Sequence, residues 1–159
     1  MSFRLAAGAA GVAIIALPVA AGAQVLMEPN VSAKMALTIA EAALAECGSR
    51  VSVAVVDRAG RLRVFVQGDG AAPHNLELAR RKAYTAAVQR VSTGDYTKRV
   101  STPGAFNPGM FDSQLATGPG GIKVGEDTIG GIAVSGAPGG DKDEACAIAG
   151  IDKIKDRLN

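Results

Sequence analysis

Beyond about residue 30 the apolar positions follow two periods. In SAKMALTIAEAALAECG, Ala36, Ile39, Ala40, Ala43 and Cys47 recur every three or four residues, the spacing of one helix face. Ser32 stands as the N-cap and Gly48 as the residue that ends the helix. The face is made of small side chains, so this helix can lie close against a sheet. In VSVAVVDRAGRLRVFVQGDG two runs rich in β-branched residues flank Asp57-Arg58-Ala59-Gly60, which predicts a hairpin. Leu62, Val64 and Val66 alternate with Arg61, Arg63 and Gln67. That alternation predicts one buried and one wet face, with Gly60 in a left-handed turn position.

A second helix is expected from about Asn75 to Arg90, with Asn75 as N-cap, a packing stripe of Leu76, Ala79, Ala83 and Ala87, and a surface pair between Glu77 and Arg81. From Val91 to Gly121 the chain is dense in Gly, Pro, Ser and Thr. Loops with one short helical turn are the expectation there. GIKVGEDTIGGIAVSG predicts a second hairpin turning at Gly125-Glu126-Asp127, with Ile129, Ile132 and Val134 as strand core. A last helix follows APGG. Asp141 and Glu144 form a capping-box pattern, and Lys153, Lys155 and Arg157 suit the negative end of the helix dipole. Helix, hairpin, helix, irregular segment, hairpin, helix is an α+β order with a mainly antiparallel sheet.

The first 23 residues change the picture of where this domain works. MSFRLAAGAAGVAIIALPVAAGAQ has one cation, Arg4, then an apolar run, then Ala21-Gly22-Ala23, the layout of a secretory signal peptide. Residues 24–159 then form one domain, periplasmic or secreted, and no later run reaches the roughly 20 apolar residues of a membrane span. The whole chain carries 17 basic and 15 acidic side chains and no Trp. This balance offers neither the basic surface nor the stacking platform of a nucleic-acid binder. Cys47 and Cys146 lack CxxC or Cys/His spacing, which argues against structural zinc. In an oxidising compartment they become candidates for a disulfide, provided the first and last helices pack antiparallel on one side of the sheet. The alternative is two buried, unpaired thiols.

Candidate chemistry centres on DGAAPHNLELARRKAYTAA. It holds the only histidine, His74, next to a helix start, where the neutral, metal-competent imidazole is favoured. The alternative is an exposed loop histidine after Pro73. Arg80, Arg81 and Lys82 form either a solvated face or the contacts of an anionic ligand such as a carboxylate. Tyr84 lies on Arg80's side of the helix, lining the same pocket or joining the core. In the irregular segment Tyr96 and Met110 can supply an axial ligand to a porphyrin iron, with Phe106 and Phe111 as apolar contacts. They can equally anchor the loop. Gly118-Pro119-Gly120-Gly121-Ile122-Lys123 is not a Walker A loop, because Gly is missing before Lys123 and Ser or Thr after it.

VAVVDRAGRLRVFVQGDGAAPHNLELARRKAYTAA, GPGGIKV and IGGIAVSGAPGGDKDEACAIAGI, in this order and spacing, resemble the GlcG/HbpS family, related to the C-terminal domain of PduO. The resemblance covers most of residues 24–159; the segment from Gly94 to Ala116 is its least family-like part. It implies an antiparallel sheet of about five strands flanked by helices in profilin-like layering, and homo-oligomers. Several relatives bind haem, and exported ones are associated with haem capture, sensing or degradation, some with a sensor partner outside the cytoplasm. On this basis haem is the expected cofactor. His74 is the expected axial ligand, with Tyr96 and Met110 as substitutes, and Arg80, Arg81 or Lys82 meet the propionates. The competing expectations are an enzyme on a small anionic metabolite, glycolate- or cobalamin-linked, with Lys82 and Asp57 as its polar groups, and a regulatory oligomer without catalysis.

Overall fold

A computed structural model describes residues 26–158. The expected leader lies outside them. The elements run α1 (Ala33–Cys47), β1 (Ser52–Asp57), β2 (Leu62–Gln67), α2 (Asn75–Gln89), α3 (Thr93–Ser101), β3 (Gly121–Val124), β4 (Gly130–Ser135) and α4 (Gly140–Asp152), with short 3-10 turns at Pro108–Met110 and Lys155–Arg157. The sheet has four strands in the order β2-β1-β4-β3, every pair antiparallel. Four strands replace the expected five, because each hairpin contributes two and the segment between them folds as a helix and turns.

β1 and β4 are central and buried on both faces. Side chains alternate along a strand. Val53, Val55, Ile132 and Val134 therefore meet Ala36, Ile39, Ala40 and Ala43 of α1 and Cys146 and Ala147 of α4 on one face. On the other face Ala54, Val56 and Ala133 meet Ala79, Ala83 and Ala87 of α2. The second interface is mostly alanine, with Val56 and the partly buried Phe65 packed against it, and α2 lies so close that a Cβ at Gly131 would collide with the Ala83 carbonyl oxygen and stand 3.0 Å from the Ala87 nitrogen. Gly131→Ala is therefore expected to destabilise the domain by about 1 to 3 kcal/mol through overpacking. Urea unfolding checks this, and an unchanged midpoint would contradict the close approach.

The expected start and end of α1 are observed. Ser32 accepts a hydrogen bond from the Met35 amide at 3.2 Å, and Gly48 has φ +78°. Gly60 is also left-handed, φ +78°. Elsewhere the boundaries move. His74, not Asn75, precedes α2, and it offers no side-chain cap because its backbone is already helical (φ −69°, ψ −19°). A turn over Ala72–Asn75 brings the chain in helically, so no extended residue remains to swing an oxygen back onto the first amides. Asn75 instead is buried and accepts the Ser135 hydroxyl at 3.4 Å. Leu76 drops out of the packing stripe and is 43% exposed, and Leu62 on the edge strand is 49% exposed. Ile129 stands just outside β4 and packs from there against the α1/α4 core.

α3 is the main addition to the sequence reading. Ser92 caps it by accepting the Asp95 amide at 3.1 Å; Asp95 lies in its first turn and Lys98 and Arg99 in its last, all favourable to the dipole. The capping-box expectation for α4 is corrected. The helix begins two residues earlier, after Gly139, without a side-chain cap, while Lys155 and Arg157 belong to the separate 3-10 turn. Cys47 and Cys146 form a disulfide with Cα atoms 5.8 Å apart, tying the end of α1 to α4. Among the described residues no helix is long and apolar enough to cross a membrane.

Candidate functional site

Each member of the basic triplet on α2 is engaged: Arg80 and Arg81 both reach the segment around Gln114, and Lys82 turns the other way. Arg80 donates to Glu77 through Nε and Nη2 at 3.0 and 2.8 Å and to Gln114 Oε1 at 3.1 Å. Glu77 thus pairs with Arg80, three residues on, rather than with Arg81; the Arg80 hydrogen bond holds its carboxyl below the usual range. Arg81 is taken up by backbone oxygens, donating to Ser113 at 2.5 Å, Leu115 at 2.8 Å and Gln114 at 3.4 Å. Lys82 turns inward and is buried. Its Nζ donates to the Pro119 carbonyl at 2.6 Å and lies 3.8 Å from Asp143 of α4. Burial pushes the Lys82 ammonium down and the Asp143 carboxyl up.

These contacts belong to a ladder that fastens residues 112–121 to α2 and α3. Asp112 accepts the Tyr84 hydroxyl at 2.8 Å, a bond that raises the phenol's pKa. The Ala116 amide donates to Thr85 Oγ1 at 2.8 Å, the Gly118 amide to Thr97 Oγ1 at 2.7 Å, and the Gly121 amide to Thr93 Oγ1 at 2.9 Å. The segment becomes a strap whose near end carries Leu115, Ala116 and Thr117 along a cleft of about 370 Å³. The opposite walls are Leu78 and Arg81 of α2 and Tyr96 of α3, with Asn107 and Gly109 at the mouth.

Tyr96 is 1% exposed, and its Oη donates to Asn107 Oδ1 at 3.5 Å, an oxygen that already accepts the Gly109 amide at 2.9 Å. The Arg99 guanidinium packs 5.3 Å from the ring centroid. Phe106 and Phe111 stack with centroids 5.7 Å apart, and with Met110 they are 69 to 80% exposed. The chain bearing the mouth residues therefore presents an unusually apolar surface.

Of the residues singled out from sequence, the cleft assembles Arg81 and Tyr96. Met110 sits exposed on the mouth segment. His74 is exposed at the head of α2, seven residues before Arg81 and so on the same helix face about two turns away, but it does not line the cleft. Arg80 braces Gln114, while Lys82 and Tyr84 are committed to Pro119 and Asp112. Leu78, Asn107 and Leu115 are functional candidates that the sequence reading missed. Only Asn107 carried a signal, the Asn-Pro-Gly turn it opens.

Lys82 and Asp57, the two polar groups of the metabolite-enzyme alternative, stand at different places in the fold. Asp57 accepts the Ala59 and Arg61 amides and Arg61 Nε at 2.8 to 3.0 Å, closing its own turn. It pairs with Gly130 at one end of β4, whereas Lys82 lies beside Gly120, whose carbonyl accepts the Val134 amide near the other end. A larger recess of about 530 Å³ lies between α3 and α4, but Asp95, Asp141 and Glu144 line it with Lys98 as its one cation. It is chemically unsuited to an anion, and we place the site in the smaller cleft.

A family model described as haem degrading protein HbpS-like matches residues 30–152. Among solved structures the fold is similar to a double Glu-to-Asp variant of HbpS from Streptomyces reticuli, at 35% identity and TM-score 0.75, covering 88% of this chain and 98% of that one. It is also similar to the Klebsiella pneumoniae protein ORFY, at 25% identity and TM-score 0.72 over 81% and 93% of the two chains. A third similar structure is a PduOC:haem complex, at 26% identity and TM-score 0.70 over 79% and 96%. No curated protein sequence matches. The family match over most of the described residues, on an antiparallel sheet with helices on both faces, places the chain in the HbpS-like haem-degrading protein family.

Proposed function

We propose that this chain is an exported haem-binding protein that takes haem at the Leu78/Arg81/Tyr96/Leu115 cleft. One observation carries the reading: the Tyr96 phenol and the Arg81 guanidinium line one cleft, beside a segment that bears the stacked, exposed Phe106 and Phe111. The donor set fits the group. Tyr96 is an oxygen donor known in haem chemistry, and His74 is a nitrogen donor at the head of α2, about two turns before Arg81. Arg81, on the cleft wall, provides a positive charge for a carboxylate. Leu78, Leu115 and the exposed Phe106, Met110 and Phe111 offer apolar contact. When bound, haem supplies a redox-active iron.

Export is supported by the leader-like first 23 residues and by the Cys47–Cys146 bridge, a bond that persists in oxidising compartments. The PduOC:haem complex and the HbpS-like family description support haem as the ligand. Homo-oligomeric assembly and a sensor partner outside the cytoplasm belong to the same proposal.

A haemin titration followed at the Soret band tests it, using wild type beside Leu78→Glu, which places a carboxylate in the cleft wall. Wild type is expected to saturate, and the variant to bind on the order of 10-fold more weakly, about 1.4 kcal/mol. Absence of saturation in wild type would sink the haem reading. Equal binding by both would keep haem and move it out of this cleft.

A further inference from the structure

The iron donor can be narrowed from the way Tyr96 is covered. Asn107 and Gly109 of the 103–111 segment stand next to its hydroxyl, and among the described residues the one hydrogen bond that ties the segment to the body beyond its flanking residues is Tyr96 Oη to Asn107 Oδ1, at 3.5 Å. The segment's remaining bonds are local: Ala105 amide to Thr102, Met110 amide to Asn107, Phe111 and Asp112 amides to Pro108 and Gly109 amide to Asn107 Oδ1. A segment held mainly to itself, with its large side chains in solvent, belongs to the least stable part of a fold. Gly104, φ +78° with no atom within 4 Å of where a Cβ would stand, leaves its start free to turn. On the far side the chain becomes firmly held again at Asp112, by Tyr84, and at Ser113 to Leu115, by Arg81.

The phenol beneath is the reverse case. Tyr96 is buried, held from behind by Arg99 on its ring and by its place on α3, and its hydroxyl has only one long bond, to an acceptor already satisfied by Gly109. A buried polar group is ordinarily well paired, and a poorly paired one calls for an explanation. His74 and Met110, the other two iron donors, are out in solvent with nothing to fix their orientation toward the cleft.

We infer that Tyr96 Oη is the axial ligand of the haem iron, uncovered when the 103–111 turn is displaced, and that the protein consequently selects ferric over ferrous haem. This rests on the haem reading above. Ligation exchanges the Oη proton for the iron; the proton leaves to water and the Asn107 contact is given up. The resulting anionic oxygen donor stabilises the more highly charged ferric state. Phe106, Met110 and Phe111, exposed on the displaced turn, supply the apolar surface that covers a flat ligand afterwards.

The test uses haemin with wild type, Tyr96→Phe, His74→Ala and Asn107→Ala, reading affinity, the phenolate-to-iron charge-transfer band and the spectrum after dithionite reduction. Tyr96→Phe is expected to lose the band and to bind ferric haem at least on the order of 10-fold more weakly, with the thermal midpoint of the ligand-free protein near that of wild type. His74→Ala is expected to keep both band and affinity. Asn107→Ala, which releases the hydroxyl without touching it, is expected to keep the band and to take up haemin faster. Reduction is expected to weaken wild-type binding more than Tyr96→Phe binding. Saturable wild-type binding with an unchanged spectrum in Tyr96→Phe, or a band lost in His74→Ala, overturns the assignment and leaves the haem reading standing. Failure of wild type to saturate overturns both.

Discussion

Replacing both cysteines, Cys47→Ala with Cys146→Ala, is expected to lower the unfolding free energy by about 4 to 5 kcal/mol. The bridge spans 99 residues of sequence, so its loss returns the closure entropy of a long loop to the unfolded state. A domain of this size has roughly 5 to 15 kcal/mol in total. The double variant is therefore expected to be marginal at 37 °C, and the wild type to behave like it in reductant once unfolded. Guanidinium unfolding with and without a phosphine reductant measures the difference. A midpoint unmoved by reduction and by the double replacement would mean that the α1/α4 packing around Ala43, Cys146 and Ala147 carries that stability without the covalent tie. Because the bridge lies on the sheet face opposite α2, haem affinity measured under folding conditions is expected to change far less than stability.

Lys82→Met is expected to cost about 3 kcal/mol at neutral pH, because it strips the partner from a buried carboxylate. Lys82 is not a surface charge. It closes the junction of α2, the strap and α4, and its removal also leaves the Pro119 carbonyl without its donor. The cost has a definite pH dependence. Burial already raises the Asp143 carboxyl, and the Lys82 charge opposes that rise, so without Lys82 the carboxyl titrates higher still. A carboxyl whose folded pKa exceeds its unfolded value contributes stability that is complete at low pH and lost as pH rises through the folded pKa. The deficit of Lys82→Met relative to wild type is thus expected to be small near about pH 4, the ordinary aspartate range, and to grow toward neutrality. Burial lowers Lys82 itself, while the Asp143 and Glu144 charges oppose that fall. Glu144, also raised by burial, titrates in both proteins and largely cancels in the difference. Urea unfolding at acid and neutral pH checks the sign; a deficit that is equal at both, or larger in acid, would contradict the buried pair. Asp143→Asn is the milder change, since an amide oxygen can still accept the Ala137 amide that Asp143 holds at 2.9 Å.

The same lysine shows where sequence reading stops. Arg80-Arg81-Lys82 on an amphipathic helix reads as a solvated or ligand-facing surface, because charge ordinarily stays in water. What overrides this is a pair of partners far along the chain, the Pro119 carbonyl on the strap and Asp143 on α4, which no local pattern announces. α3 was hidden for a related reason. Its Gly, Ser and Thr have poor helix propensity, and the short cap Ser92-Thr93-Gly94-Asp95 was outweighed by the Gly- and Pro-rich stretch that follows. The capping readings of Asn75 and Asp141 failed by one or two residues, since a cap depends on the backbone angle at entry rather than on residue type alone.

What local physics determined by itself is therefore the frame. Periodic small apolar faces specified α1 and the α2 stripe Ala79, Ala83 and Ala87, β-branched runs around turn residues specified both hairpins, and two cysteines on the first and last helices made a bridge one of two open readings. These signals act over a few residues, or, for the cysteines, through the layering that the element order imposes. The tertiary structure alone decided the cleft. Tyr96 meets Arg81 there because Thr85, Thr97 and Arg81 fasten the strap across two helices, and Lys82 is buried because α4 brings Asp143 to it. Side-chain hydrogen bonds between distant segments have no period, and so they become visible only when the chain is folded.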